Sequence, residues 1–133
     1  MPWLSARRCL RFLPVLAWMG IIFFGSSRQN INIPPAPNGW SVERPIKKVA
    51  HICEYATLAF LVGWAIGGAT GRTLAICAAV AAVYGASDEI HQAFVPTRHA
   101  RLFDVGVDTV GGCLGAWAWR QVWRRKDGKA PGD

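Results

Sequence analysis

The chain has 133 residues, room for one compact domain, and 52% of them are hydrophobic against 17% charged, an apolar-rich and charge-poor balance for a soluble domain. Its 15 lysines and arginines outnumber 8 acidic residues, for a net charge of +7, yet the cations gather at the two ends and in loops with no nucleic-acid reader motif beside them. That pattern argues against nucleic-acid binding and for membrane topology.

Four apolar segments follow one another, and they predict spans over about 10–27, 47–68, 72–95 and 104–124, each close to the ~20 helical residues that cross a hydrocarbon core. The first follows Arg7, Arg8 and Arg11 and lacks a small-x-small cleavage site before Arg28, so it reads as a retained anchor rather than a signal peptide. A loop from Gln29 to Pro45 holds Pro34, Pro35, Pro37 and Gly39, with Trp40 suited to the interface. The second span meets the third across the turn Gly68-Ala69-Thr70-Gly71, which makes them antiparallel neighbours. The third runs past Asp88 to Val95-Pro96, where proline stops it. Small residues four apart (Gly63 and Gly67, Ala81 and Gly85, Gly111 and Gly115) suit close helix approach in lipid. Residues 125–133 read as a flexible basic tail.

The expected fold is therefore all-α: one membrane domain over 1–133, with four transmembrane helices in an antiparallel bundle. One side would hold nine cations (Arg7, Arg8, Arg11, Arg72, Arg120, Arg124, Arg125, Lys126, Lys129) and the other six (Arg28, Arg44, Lys47, Lys48, Arg98, Arg101), which puts both termini in the cytoplasm. Cys9, Cys53, Cys77 and Cys113 form no CxxC pair and read as small apolar residues.

The ionisable residues converge in depth. His51, Glu54 and Tyr55 fall at i, i+3 and i+4 on the second span, one face near its outer end. Asp88 lies 16 residues beyond Arg72, a rise of about 24 Å, with His91 and Gln92 on its face and Glu89 turned about 100° aside. Asp104 stands at the mouth of the fourth span and Asp108 one turn deeper. Carboxylates cost on the order of 2.5 to 3.5 kcal/mol in a bilayer, so these require partners. Three readings stay open: a structural hydrogen-bond network, a binding or catalytic pocket toward the outer leaflet, and an ion path. The third is disfavoured because nothing comparable lines the cytoplasmic half.

No metal is expected: His51-x-x-Glu54 lacks the adjoining second histidine of an inverted zinc motif, and Asp-Glu-Ile-His is not His-Glu-x-x-His. Ser87 lacks the surroundings of a catalytic serine. The loop Pro96-Thr97-Arg98-His99-Ala100-Arg101 carries two arginines that suit forked hydrogen bonds to a phosphate or carboxylate, or else solvation among headgroups.

The run Lys47-Lys48-x-x-His51-x-x-Glu54-Tyr55, then Ser87-Asp88-Glu89-Ile90-His91-Gln92-x-Phe94-Val95-Pro96-x-Arg98, then Asp104-x-x-x-Asp108-Thr109-x-Gly111 resembles the VanZ-like family of small bacterial membrane proteins. The resemblance spans most of the chain, with two departures: Pro96-Thr97-Arg98 where relatives often show Pro-Gly-Arg, and Asp108 where Asn is often found. It implies a bacterial inner-membrane protein of the cell envelope. The founding member is linked to resistance against teicoplanin-type glycopeptides, without a settled mechanism. A phosphotransbutyrylase label carried by some relatives finds no coenzyme A or acyl-phosphate signature here.

Together these readings make Asp88, His91 and Glu54 the candidate catalytic residues, with Asp88 and His91 handling protons and Glu54 orienting His91. Arg98, Arg101 and Lys48 are the candidate anion binders, supported by His51, Tyr55, Glu89, Gln92, Asp104 and Asp108. The expected partners are the bilayer and an anionic lipid or lipid-linked envelope precursor, with no cofactor. Whether a reaction is catalysed stays open, and the alternative is a non-enzymatic scaffold or protective protein whose polar cluster is structural.

Overall fold

The structure is a computed structural model that describes residues 9–27, 43–94 and 102–128. Among these residues the chain forms four α-helices and no strand: α1 (Leu13–Ser27), α2 (Glu43–Ile66), α3 (Gly71–Ala93) and α4 (Leu102–Lys126).

The helix ends differ from the predicted spans for local reasons. Pro14 and Pro45 both sit in the first turns of their helices, where a missing N–H costs nothing because no intrahelical acceptor exists there. Consequently α2 starts at Glu43, inside the stretch expected to be loop. It stops at Ile66 because Gly67 and Gly68 take φ of 77° and 75°, a left-handed conformation that glycine adopts without strain. Thr70 then opens α3, its hydroxyl accepting from Thr73 N–H at 3.2 Å. The α3 C-terminus closes when Phe94 N–H bonds His91 O at 3.0 Å. The helix of α4 continues through Arg125 and Lys126, which the sequence reading assigned to the tail; the rest of that tail beyond Gly128 lies outside the described residues. Asp104 in its first turn and Arg124, Arg125 and Lys126 in its last oppose the helix dipole.

Contacts fix the directions. Ile52 and Ala56 of α2 meet Gly111 and Gly115 of α4, and both numbers rise together, so α2 and α4 run parallel. Gly85 meets Asp108 while Ala81 meets Gly112, so α3 and α4 are antiparallel. Ser27 reaches His91 and Tyr84 reaches Met19, which makes α1 parallel to α3. Consecutive helices thus alternate in direction. The core lies among α2, α3 and α4 around Tyr55, Leu58, Ala59, Cys77 and Ala81, each 0% exposed. α1 lies at the side, adding Val15 and Ile22 to this core.

Glycine permits the tight contact of α2 with α4. A Cβ on Gly111 would lie 2.6 Å from Ile52 O, and one on Gly115 would overlap Ala56 O. At Gly63 the neighbour is the Trp119 ring, 2.5 Å from where a Cβ would stand. Gly67, which spacing paired with Gly63, has nothing near its missing side chain and serves the turn instead.

Trp119 anchors the end away from the polar residues: its indole N–H donates to Gly68 O at 2.8 Å, and its ring packs edge-on against Phe60 at 5.5 Å. Trp119→Phe keeps an aromatic ring but removes the donor. A loss of about 1 kcal/mol is expected, read as a fall of about 4 °C in the melting temperature of the detergent-solubilised protein. An unchanged melt would mean that water replaces the bond.

Two helices, α2 over Pro45–Ile66 and α3 over Gly71–Ala93, are long and apolar enough to cross a bilayer, where the sequence led us to expect four. α1 is apolar but covers 15 residues. α4 is long enough, but Asp104 and Asp108 at one end and Arg120 to Lys126 at the other break its apolar run. Only 33% of the apolar window in α2 and in α3 is buried in the fold, so much of their apolar surface faces outward, unlike a soluble core helix.

Candidate functional site

Polar side chains from all four helices meet at one end of the bundle, at the end of α1 and α3 and the start of α2 and α4. Its centre is an ion-pairing contact across α2 and α4, with His51 Nδ1 donating to Asp108 Oδ1 at 3.0 Å. A carboxylate oxygen can only accept there, so the ring carries a hydrogen on Nδ1, as both the Nδ1–H tautomer and the protonated ring do. The Asp108 side chain is fully buried and that of His51 is 20% exposed. Gly85 makes room for it: a Cβ at that position would stand 2.9 Å from Asp108 Oδ2.

One turn below His51, Tyr55 is fully buried, its ring stacked on His51 at 6.2 Å and tilted against Tyr84 at 6.4 Å. Asp88, 4% exposed, accepts from the Gln92 amide at 2.8 Å through Oδ2. Asp88 and Asp108 both lie within electrostatic range of the Tyr55 hydroxyl. Three buried oxygens in this group have no hydrogen-bond partner among the described residues: Tyr55 Oη, Asp88 Oδ1 and Asp108 Oδ2.

His91 turns toward α1. Its Nε2 lies 3.0 Å from Ser27 Oγ, and its ring rests on Phe23 at 4.4 Å. Ser27 gives its single hydroxyl hydrogen to Phe23 O at 2.7 Å, so it accepts from His91 Nε2–H. Ser27 is therefore not poised as a nucleophile, and His91 presents Nδ1 as its acceptor atom. The sequence reading had Glu54 orient His91 across the helix interface; the contacts described for the His91 ring are with Ser27 and Phe23 of α1. Asp88 and His91 share a helix face, as their i, i+3 spacing requires, but each bonds to a different residue.

Of the other predicted residues, Glu54 is half-buried, and its backbone carbonyl accepts from Trp18 Nε1 at 2.9 Å. Glu89 and Gln92 are buried, and Asp104 is half-buried. Lys48 is exposed, with Nζ 4.4 Å from the centre of the Phe103 ring. Arg98 and Arg101 lie outside the described residues. Among the described residues no three His, Cys, Asp or Glu side chains are grouped to hold a metal.

Sequence reasoning missed Ser27 as the partner of His91, and Gly85 and Tyr84 as walls of the buried cluster. Tyr84 and Gly85 precede Asp88 at i−4 and i−3, so helical periodicity already put them on its face. Tyr84 also ties α1 in place by donating to Met19 O at 2.6 Å.

A family model described as VanZ/LLP1 matches residues 11–124. The chain belongs to the VanZ/LLP1 family. The match takes in the first three helices, α4 as far as Arg124 and every described residue of the polar end, so this VanZ/LLP1 chain carries the cluster inside the shared region. No curated protein and no solved structure matched the chain.

Proposed function

We propose that this VanZ/LLP1 protein is a four-span protein of a bacterial cytoplasmic membrane, with both termini inside and an outward-facing polar chamber that binds an anionic envelope component. A lipid-linked headgroup has the matching chemistry. The supporting observation is that polar side chains of four helices meet at one end of the bundle: Ser27 with His91, and His51 with Asp108. Intramembrane ionisable groups carry functional roles by default because their burial is costly. Exposed Leu16, Ile21, Phe23 and Phe24 on α1 and Leu114 and Trp117 on α4 suit lipid contact, consistent with all four helices spanning.

In this reading Arg98 and Arg101, just past α3, grip the anion with help from Lys48. Asp88 and His91 border the bound group, and Nδ1 of His91 takes or returns a proton if the ligand is modified. Glu54, Glu89, Gln92 and Asp104 shape the field around them. Alanine at Asp88, His91 or Arg98 is expected to erase the effect of the protein on envelope lipids and precursors, profiled with and without it, while membrane expression stays at the wild-type level. Full activity in all three variants refutes the proposal.

One observation favours a scaffold instead: Asp108 is fully enclosed between His51 and Gly85, as a purely structural pair would be. The scaffold reading requires expression and envelope effect to fall together in the same variants.

A further inference from the structure

We propose that Asp88, Asp108 and Tyr55 bind a small monovalent cation of the sodium class between α2, α3 and α4. The three oxygens concerned, Asp88 Oδ1, Asp108 Oδ2 and Tyr55 Oη, are each buried and each without a partner among the described residues. They belong to one locality. Asp108 Oδ2 faces the missing side chain of Gly85, Asp88 follows Gly85 by three residues on the same face of α3, and the Tyr55 ring lies between His51 and Tyr84.

Two carboxylate oxygens and a phenolic hydroxyl, all hard donors, suit a hard cation rather than a soft metal. The remaining oxygens are already engaged, Asp108 Oδ1 by His51 and Asp88 Oδ2 by the neutral amide of Gln92. With His51 protonated, Asp108 has a charge partner, whereas among the described residues Asp88 has none, which leaves one net negative charge to offset and selects a monovalent ion. The described residues contain no three-ligand set of the kind a transition metal uses. A bridging water would satisfy the hydrogen bonds but would leave the Asp88 charge uncompensated in a medium of low dielectric. Gly85 keeps the approach to Asp108 Oδ2 open, since a Cβ would stand 2.9 Å from that oxygen.

This site does not rest on the anion-binding proposal, and its test needs no envelope ligand. The purified full chain in detergent is melted in sodium, potassium and N-methylglucamine chloride at equal ionic strength, and sodium binding to the wild type is followed by calorimetry. Sodium is expected to raise the melting temperature by about 5 °C over N-methylglucamine, with saturation, because a ligand bound only to the folded state stabilises it. Asp88→Asn abolishes the shift, and Tyr55→Phe raises the half-saturating sodium concentration about tenfold, the loss of one neutral ligand. Equal melting in sodium and N-methylglucamine, no saturable heat in the wild type, or a full shift in Asp88→Asn overturns the proposal. If Asp88→Asn fails to fold, the wild-type heat and the Tyr55→Phe titration decide, and an unaltered titration counts against the site.

Discussion

Gly115→Ala is expected to unfold or strand most of the protein, although it adds one methyl group to a helix that alanine otherwise favours. The added Cβ would overlap the carbonyl oxygen of Ala56 and press on its C and Cα at 2.7 and 2.8 Å. These are backbone atoms of α2, so no rotamer change relieves the contact; the two helices must separate. Separation would also loosen the Ile52–Gly111 approach one turn away and the Phe60–Trp119 contact beyond it. Overpacking in a tight interface costs about 1–3 kcal/mol and occasionally more, and contact with rigid backbone belongs at the upper end. Gly106→Ala is the control, because nothing lies within 4 Å of its missing side chain and it too is helical. It should melt at or slightly above the wild-type temperature. Thermal unfolding in detergent, with membrane yield as a second readout, checks both variants. If Gly115→Ala and Gly106→Ala melt alike, the α2–α4 approach is looser than the backbone contacts imply.

The number and order of helices were legible because each apolar run is bounded by glycine, proline or charge. Ends were less so. Pro45 reads as loop in sequence, yet in a first turn it starts a helix, and the difference depends on where the hydrogen-bond ladder begins. The i, i+3 and i+4 rule placed His51 with Tyr55 and Asp88 with His91 and Gln92 on shared faces, because that is a property of one helix. It carries no information about which way two faces turn relative to each other. The His51–Asp108 contact joins residues 57 apart and Ser27–His91 joins residues 64 apart; both follow from the rotation of each helix about its axis, which for α4 is set by where Gly111, Gly112 and Gly115 let it settle. The small-residue spacing showed that α4 has a close-packing face. It did not show that the face is shared between α2 on one side and Ala81 of α3 on the other.

Removing His51 is expected to destabilise the protein more than removing the charge of its partner. His51→Ala leaves Asp108 fully buried, deprived of the donor on Oδ1 and already without one on Oδ2 among the described residues. Breaking a buried pair from one side costs about 3–5 kcal/mol; with His51 partly exposed, water can enter, and the lower end applies. Asp108→Asn keeps the shape that fits against Gly85, and its amide oxygen still accepts from His51 Nδ1–H, so a cost of about 1 kcal/mol is expected, close to that of a single neutral hydrogen bond. The double variant His51→Ala with Asp108→Asn should then be more stable than His51→Ala alone by about 2 kcal/mol, since an amide without a partner is less costly to bury than a carboxylate without one. Unfolding measured for the two single variants and the double one closes the cycle. A double variant no better than His51→Ala would mean that the lost contact is packing of the imidazole and not pairing of charge. The same set separates chemistry from support: Asp108→Asn folds, so an envelope effect lost in it at full expression assigns the carboxylate a part in the function, while an effect that follows only the melting temperature assigns it to the frame.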